Sequence, residues 1–249
     1  MPDWNKAFNS VCRIVLKEEL GTLQDYATYL HRYLEPIQST RSYVSDKQVY
    51  YSMPYASGSK ILSFEEALSR KAEPINLNEM KDIDSLLTAV QERFEYGGNK
   101  VLGNSEDVVE SDNIMDGVHI YRSNDVLNAE NIAYSQMLIR GSKFAFGCSW
   151  SDRVSFSINC SELSMVTRSF ESGFMVNTSD AYFSYNCIDC NDVIFCFNQR
   201  AKRHAIGNTV LGRDTYNALK KKLLEEVVQQ LKKEKTFPSL VELCFGGWK

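Results

Sequence analysis

Apolar residues recur at helical spacing through the first hundred positions of the chain. In WNKAFNSVCRIVLKEEL, Phe8, Val11, Cys12 and Val15 share one face, which predicts an amphipathic helix. TLQDYATYLHRYLEP repeats the pattern with Leu23, Tyr26, Ala27, Leu30 and Leu34, and Pro36 opposes its continuation. QVYYSMPYASG is aromatic and extended, and reads as a short strand. LSFEEALSR opens a helix with Ser63 and Glu66 in capping-box spacing. NLNEMKDIDSLLTAVQERF carries Met80, Ile83, Leu87, Val90 and Phe94 on one helical face, and Gly97 and Gly98 close it.

From Asn104 the periodicity is different. Lines started at Asn104, Ser123, Ser142, Ser161, Ser179 and Asn198 are separated by 19, 19, 19, 18 and 19 residues. Down these lines run columns of apolar residues. One holds Val108, Leu127, Phe146, Met165 and Phe183, and a second holds Val118, Met137, Phe156, Met175 and Val193. A third, Ile120, Ile139, Ile158, Asn177 and Phe195, is broken only by Asn177. Short strands stacked coil on coil put equivalent side chains in such files, because one coil cannot bury its apolar positions alone. The expectation is a parallel β-solenoid of five to six coils of ~19 residues, mainly β with helical caps. Residues 1–100 are then a helical N-terminal region and 101–211 the solenoid. Residues 212–249 are a capping helix and tail, the helix striped by Tyr216, Leu219, Leu223, Leu224, Val227, Val228 and Leu231.

Composition narrows the function only by exclusion. A formal charge of −4 gives no reason to expect a nucleic-acid partner. No run of apolar residues reaches the ~20 needed to cross a bilayer, so no membrane is expected. MPDWNKAFNSVCR has no apolar core of the kind a secretory signal needs. The seven cysteines are irregularly spaced, which favours free thiols in a reducing compartment.

The C-terminal quarter adds a resemblance. SYNCIDCNDVIFCFNQRAKRHAIGN, then GRDTYNALKKKLLEE, then FPSL resemble stretches of hypothetical proteins from candidate-phylum bacteria and large tailed phages. In those proteins a Cys-bearing coil is followed by a basic Tyr-Cys-Ile stretch, a Tyr-bearing helix start and a Phe-Pro-Pro-Ser-Leu element. Here His204 and Ala205 stand in place of the Tyr-Cys pair, and one Pro is missing. The resemblance brings no catalytic residues across. It implies a phage or phage-derived protein, located in a virion or in the host cytoplasm.

Candidate chemistry is sparse. Cys187, Cys190, Cys196 and His204 combine thiols and an imidazole in half of a zinc pattern, without a second tight ligand pair. Core or corner cysteines are the competing reading. Asp107, Asp112 and Asp116 cluster in the first coil, and Asp152, Glu171 and Asp189 fall near one column, where paired carboxylates could cleave a glycan. His31, His119 and His204 each stand alone. No phosphate-cradling Gly loop or nucleophile elbow is present. The reading is therefore a non-enzymatic structural or interaction protein without a cofactor. It would join the structural proteins of a larger assembly, such as the head or connector of a tailed-phage virion, or form homo-oligomers. A carbohydrate-active or zinc-binding solenoid is the alternative. Tyr50, Tyr51 and Tyr55, with Phe245 and Trp248, are the expected partner contacts.

Overall fold

A computed structural model describes residues 3–245, apart from 72, 77, 79, 140–142 and 152. Trp248, expected as a partner contact, thus lies outside the described residues, as does Asp152. The chain is mainly β, wound as a parallel solenoid of about seven turns, with helices on its flank. The first helix, α1 (Trp4–Leu16), buries Phe8, Val11, Cys12 and Val15 completely, on the face that the spacing predicts. The second predicted helix is broken into a 3-10 turn (Leu23–Tyr26) and a short α2 (Ala27–Leu30).

Residues 1–100 are less helical than expected. The antiparallel pair β1 (Gln38–Arg41) and β2 (Gln48–Tyr51) is followed by β3 (Lys60–Ser63), which pairs in parallel with β4 (Glu95–Gly98). Between them lie α3 (Phe64–Ser69) and α4 (Ile83–Arg93). Both halves of the Ser63–Glu66 capping box are formed at the start of α3. This lobe covers the first coil: Asn99 donates its backbone N–H to the Tyr50 carbonyl at 2.9 Å.

The solenoid step is twelve residues, and the 19-residue step is corrected. Ile120 pairs with Ile132, and the same file continues through Ala145, Ser157, Ser169, Ala181, Val193 and Ala205. One extra residue enters between Ile132 and Ala145. The expected file of Leu127, Phe146 and Met165 does not exist. Leu127 is half-buried in an early coil, Phe146 is buried beneath the helices, and Met165 is 39 % exposed.

A period of three generates this coil. From Asp107 to Asn128, and again from Glu171 to His204, every third residue has a positive φ near 50°. The residue after each one turns inward. In one coil these are Ser172, Met175, Thr178 and Ala181, and in the next Ser184, Cys187, Cys190 and Val193, each no more than 2 % exposed. Left-handed backbone costs an ordinary L-residue roughly 1–2 kcal/mol, and Asn and Asp tolerate it best. Hence Asn177, Asp180, Asn186, Asp189, Asp192 and Asn198 all stand at these corners. Bonds to the preceding coil offset the cost: Phe183 N–H donates to the Phe170 carbonyl at 2.8 Å, and Phe195 N–H to that of Tyr182 at 3.0 Å.

Small polar side chains serve this narrow interior. Ser184 Oγ donates to the Tyr182 carbonyl at 2.9 Å and accepts from Cys196 N–H at 3.2 Å. Cys196 fills the next rung and its Sγ donates to the Ile194 carbonyl at 3.4 Å. Ser111, Ser123, Ser172 and the buried Cys148 and Cys160 occupy the same file. Removing one hydroxyl orphans a buried N–H, so Ser184→Ala is expected to lose about 1–3 kcal/mol in chemical denaturation. Ser184→Cys, which copies the neighbouring rung, is expected to lose less.

The helices α1, α2 and α5 sheathe a side of the solenoid, while α3 and α4 belong to the lobe against the first coil. An outward file of Ala133, Phe146, Ile158, Phe170, Tyr182 and Ile194 is buried under α1, α2 and the long α5 (Arg213–Glu234). Leu224, Val227, Val228 and Leu231 of α5 face this layer, whereas Leu219 is 41 % exposed. Lys220 reaches Asp192 at 2.9 Å, and Lys235 of the chain beyond α5 meets Asp25 at 3.7 Å. Phe237 then seats against Phe170 and Phe183, before α6 (Leu240–Phe245). The last coil finishes itself. Thr209–Val210 folds back antiparallel on Arg203–Ile206, and Asn208 Oδ1 accepts from Phe197 N–H. Gln199 and Lys202 take the places that Cys187 and Cys190 hold one coil earlier. Polar residues at such positions blunt an open edge.

Candidate functional site

Of the proposed zinc residues, the fold brings Cys187, Cys190 and Cys196 near one another but without His204. Cys187, Cys190 and Cys196 lie inside the solenoid, buried to 2 % exposure or less, with their thiols turned to backbone carbonyls. Burial pushes the Cys187 thiol up to about 12, which keeps it protonated. His204 sits at an outward corner with its ring 5.4 Å from that of Tyr216 on α5. Among the described residues no three His, Cys, Asp or Glu side chains converge at metal spacing.

The carboxylates also separate. Asp112 is fully buried and accepts from the Tyr96 hydroxyl and Lys100 N–H, both at 2.9 Å. Asp116 accepts from Asn104 N–H at 2.8 Å, and Asp107 lies 3.0 Å from His119 Nδ1. Each carboxylate therefore ties adjacent segments of the first coils together. With a twelve-residue step, Glu171 and Asp189 stand on different sides: Glu171 lies over Asn159, and Asp189 follows Asn177 and is exposed. Glu171 and Asp189 therefore do not share the expected acidic row.

Glu171 is the residue that sequence reasoning undervalued. It is 2 % exposed, in left-handed backbone, under the α2 segment. Tyr33 donates to its Oε2 at 2.8 Å, Asn159 Nδ2 donates to its Oε1, and the hydroxyl of Tyr29 faces it as well. Burial raises its carboxyl to about 7, against the lowering pull of these donors and of Arg32. A cavity of about 20 Å³, bounded also by Ser172, Tyr185 and Leu240, adjoins it, with room for about one water. Arg32 ties the same segment to the C-terminal stretch through the Phe237 carbonyl at 2.7 Å and Thr236 Oγ1 at 2.9 Å. The arrangement is a polar clasp between flank and solenoid.

A groove and a helix face are open among the described residues. A groove of about 540 Å³ between the end of α1 and α5 has an apolar floor of Leu16, Leu224 and Val228 and a rim including Lys17, Lys220 and Lys221. Partial burial, then the neighbouring Arg168 and Lys220 charges, lower the Lys17 ammonium pKa. The other surface is α4. Its predicted apolar face is not covered by any described residue: Ile83 is 65 % exposed, Leu87 59 % and Phe94 55 %.

The expected partner tyrosines are partly spent within the chain. Tyr50, Tyr51 and Tyr55 are half-buried, with Tyr55 against Tyr96 at 4.2 Å between centroids and against Tyr51 at 6.0 Å. Phe245 ends α6. Among the described residues no helix is long and apolar enough to cross a membrane.

Fold and surfaces together define a β-solenoid with a helical flank. No family model, curated protein or solved structure matches the chain.

Proposed function

We propose that this chain is a non-enzymatic structural and interaction protein, a stiff rod that docks into a larger assembly. The observation that carries the reading is the exposed apolar face of α4, in a lobe that also exposes Met53 and Leu68. The finished end of the solenoid offers a second contact surface, with Phe197 55 % exposed beside the exposed Arg200, Lys202 and Arg203. The narrower form, a head or connector component of a tailed-phage virion, is supported by the C-terminal resemblance alone. The test is what accompanies the protein when it is purified from its native source. Stoichiometric recovery with the structural proteins of a particle is the expected result. A free protein that cleaves polysaccharide would overturn the reading.

A further inference from the structure

Glu171 lies where three elements meet. The turn after α2 supplies Tyr33, whose hydroxyl donates to Oε2 at 2.8 Å, and Asn159 of the preceding coil donates its Nδ2 to Oε1. The third element is α6. Leu240, its first residue, borders the cavity beside Glu171, and the Ser239 hydroxyl just before it faces that of Tyr33. Ser239 and Glu242 cap α6 reciprocally. Glu242 N–H donates to Ser239 Oγ at 2.8 Å, and Ser239 N–H donates to Glu242 Oε2 at 3.1 Å.

This stretch is held unequally along its length. Phe237 packs against Phe170 and Phe183, and Arg32 bonds its carbonyl. Past Pro238 the hold is lighter: Leu243 is 63 % exposed, and Arg32 meets Glu242 only at 3.6 Å in a partly solvated pair. Beneath α6 the polar cluster is incompletely satisfied. Asn159 is fully buried, yet no described residue donates to its Oδ1. Such a cluster gains from contact with water. An ionised carboxyl gains more, because burial penalises its charge.

We infer that α6 is a lid over Glu171, hinged at Phe237 and Pro238, which lifts when this carboxyl ionises. Tyr29, Tyr33 and Arg32 face Glu171 from the α2 side, Tyr185 from the next coil, and Glu242 from the lid across Arg32. Burial, followed by the charge of Glu171, raises the Tyr29 and Tyr33 hydroxyls, so neither ionises near neutral pH. Arg32 keeps its charge throughout. His31 turns elsewhere, with Nδ1 2.7 Å from the Ala27 carbonyl. Under the closed lid Glu171 keeps its proton up to about 7, and in contact with water it ionises near 4.5. Opening is therefore least favourable in acid, rises through this window and levels off above it. A helix of six residues does not persist away from its surface, so lifting frees its amides for exchange.

Native-state hydrogen exchange of the full chain from about pH 5 to about pH 7.5, corrected for intrinsic rates, tests this. The reporter is Leu243 N–H, which bonds the Ser239 carbonyl at 3.1 Å. In the wild type its protection is expected to fall roughly fiftyfold across the range. In Glu171→Gln it is expected to stay level, which separates Glu171 from His31 and Glu242. A wild-type protection that does not change overturns the inference, and so does a fall that the variant shares. Exchange of Leu243 only in step with the interior Val193 amide also overturns it, because the whole chain then opens and no lid moves by itself. The wild-type series decides the matter alone should the variant fold poorly.

Discussion

Replacing Glu171 by Gln is expected to remove the loss of stability that this carboxyl imposes between about pH 4.5 and pH 7. In the unfolded chain this carboxyl ionises near its ordinary 4.5, whereas in the folded chain burial holds its proton up to about 7. Below pH 4.5 both states carry the proton and the native contacts count in full. As the pH rises, the unfolded chain loses its proton first and is favoured, and the folded state loses ground until it too ionises near 7. Above that the effect is constant. The difference corresponds to about 3 kcal/mol lost across the window. Urea denaturation at a series of pH values checks it. Gln keeps an acceptor for Asn159 and has no proton to release, so the slope contributed by this group disappears. A stability difference between wild type and Glu171→Gln that does not change from pH 4.5 to pH 7 would show that the carboxyl is not held protonated, and the comparison cancels the opposing slope of His31, whose pKa burial lowers.

Phe170→Ala is expected to cost about 3–5 kcal/mol, the usual loss for a large aromatic deleted from a closed core. Phe170 is fully buried, with the ring of Phe183 at 5.1 Å and that of Phe237 at 6.0 Å. It belongs to the file that joins solenoid to helices, so its loss loosens two layers together. Denaturant titration measures the drop, and hydrogen exchange should show it spreading to the segment around Phe237. A cost below about 1 kcal/mol would mean that the flank is not a core.

How far the sequence discloses this molecule depends on which spacing is followed. Helical faces were legible where one layer packs on another, as Phe8, Val11, Cys12 and Val15 show. The stacked character of the middle was legible too, but its step was not. An interior fed by every third residue, together with an apolar outward file under the helices, leaves apolar residues on several sides of each coil. Columns taken at many steps then look apolar, and Val108, Phe146 and Met165 aligned although they belong to the interior, the flank and an exposed corner. The better signal was polar. In NCIDCNDVIFCFN the residues Asn186, Asp189, Asp192 and Asn198 recur in steps of three, interrupted by Phe195, and these are the residues that tolerate left-handed corners.

The sites divide in the same way. Cys187, Cys190 and Cys196 satisfied a spacing but are interior rungs, which the Ser–Cys alternation in the file of Ser172, Ser184 and Cys196 could have shown. Glu171 carried no local mark, because its surroundings come from Tyr29 and Tyr33, more than a hundred residues away. The α4 stripe was visible as a helix face, yet only the fold shows that nothing described covers it.

The twelve-residue stacking is most directly tested by paired cysteines on the outside of the rod. Asn186 and Asn198 lie on adjacent coils, with Nδ2 and Oδ1 at 2.7 Å, while Ser179 bonds across to Asn191. Neighbouring coils bring Cα atoms within disulfide reach. Under mild oxidation, Asn186→Cys with Asn198→Cys should form an intramolecular disulfide, and Ser179→Cys with Asn198→Cys, nineteen residues apart, should not. Cross-linking of the second pair without the first would contradict the fold described.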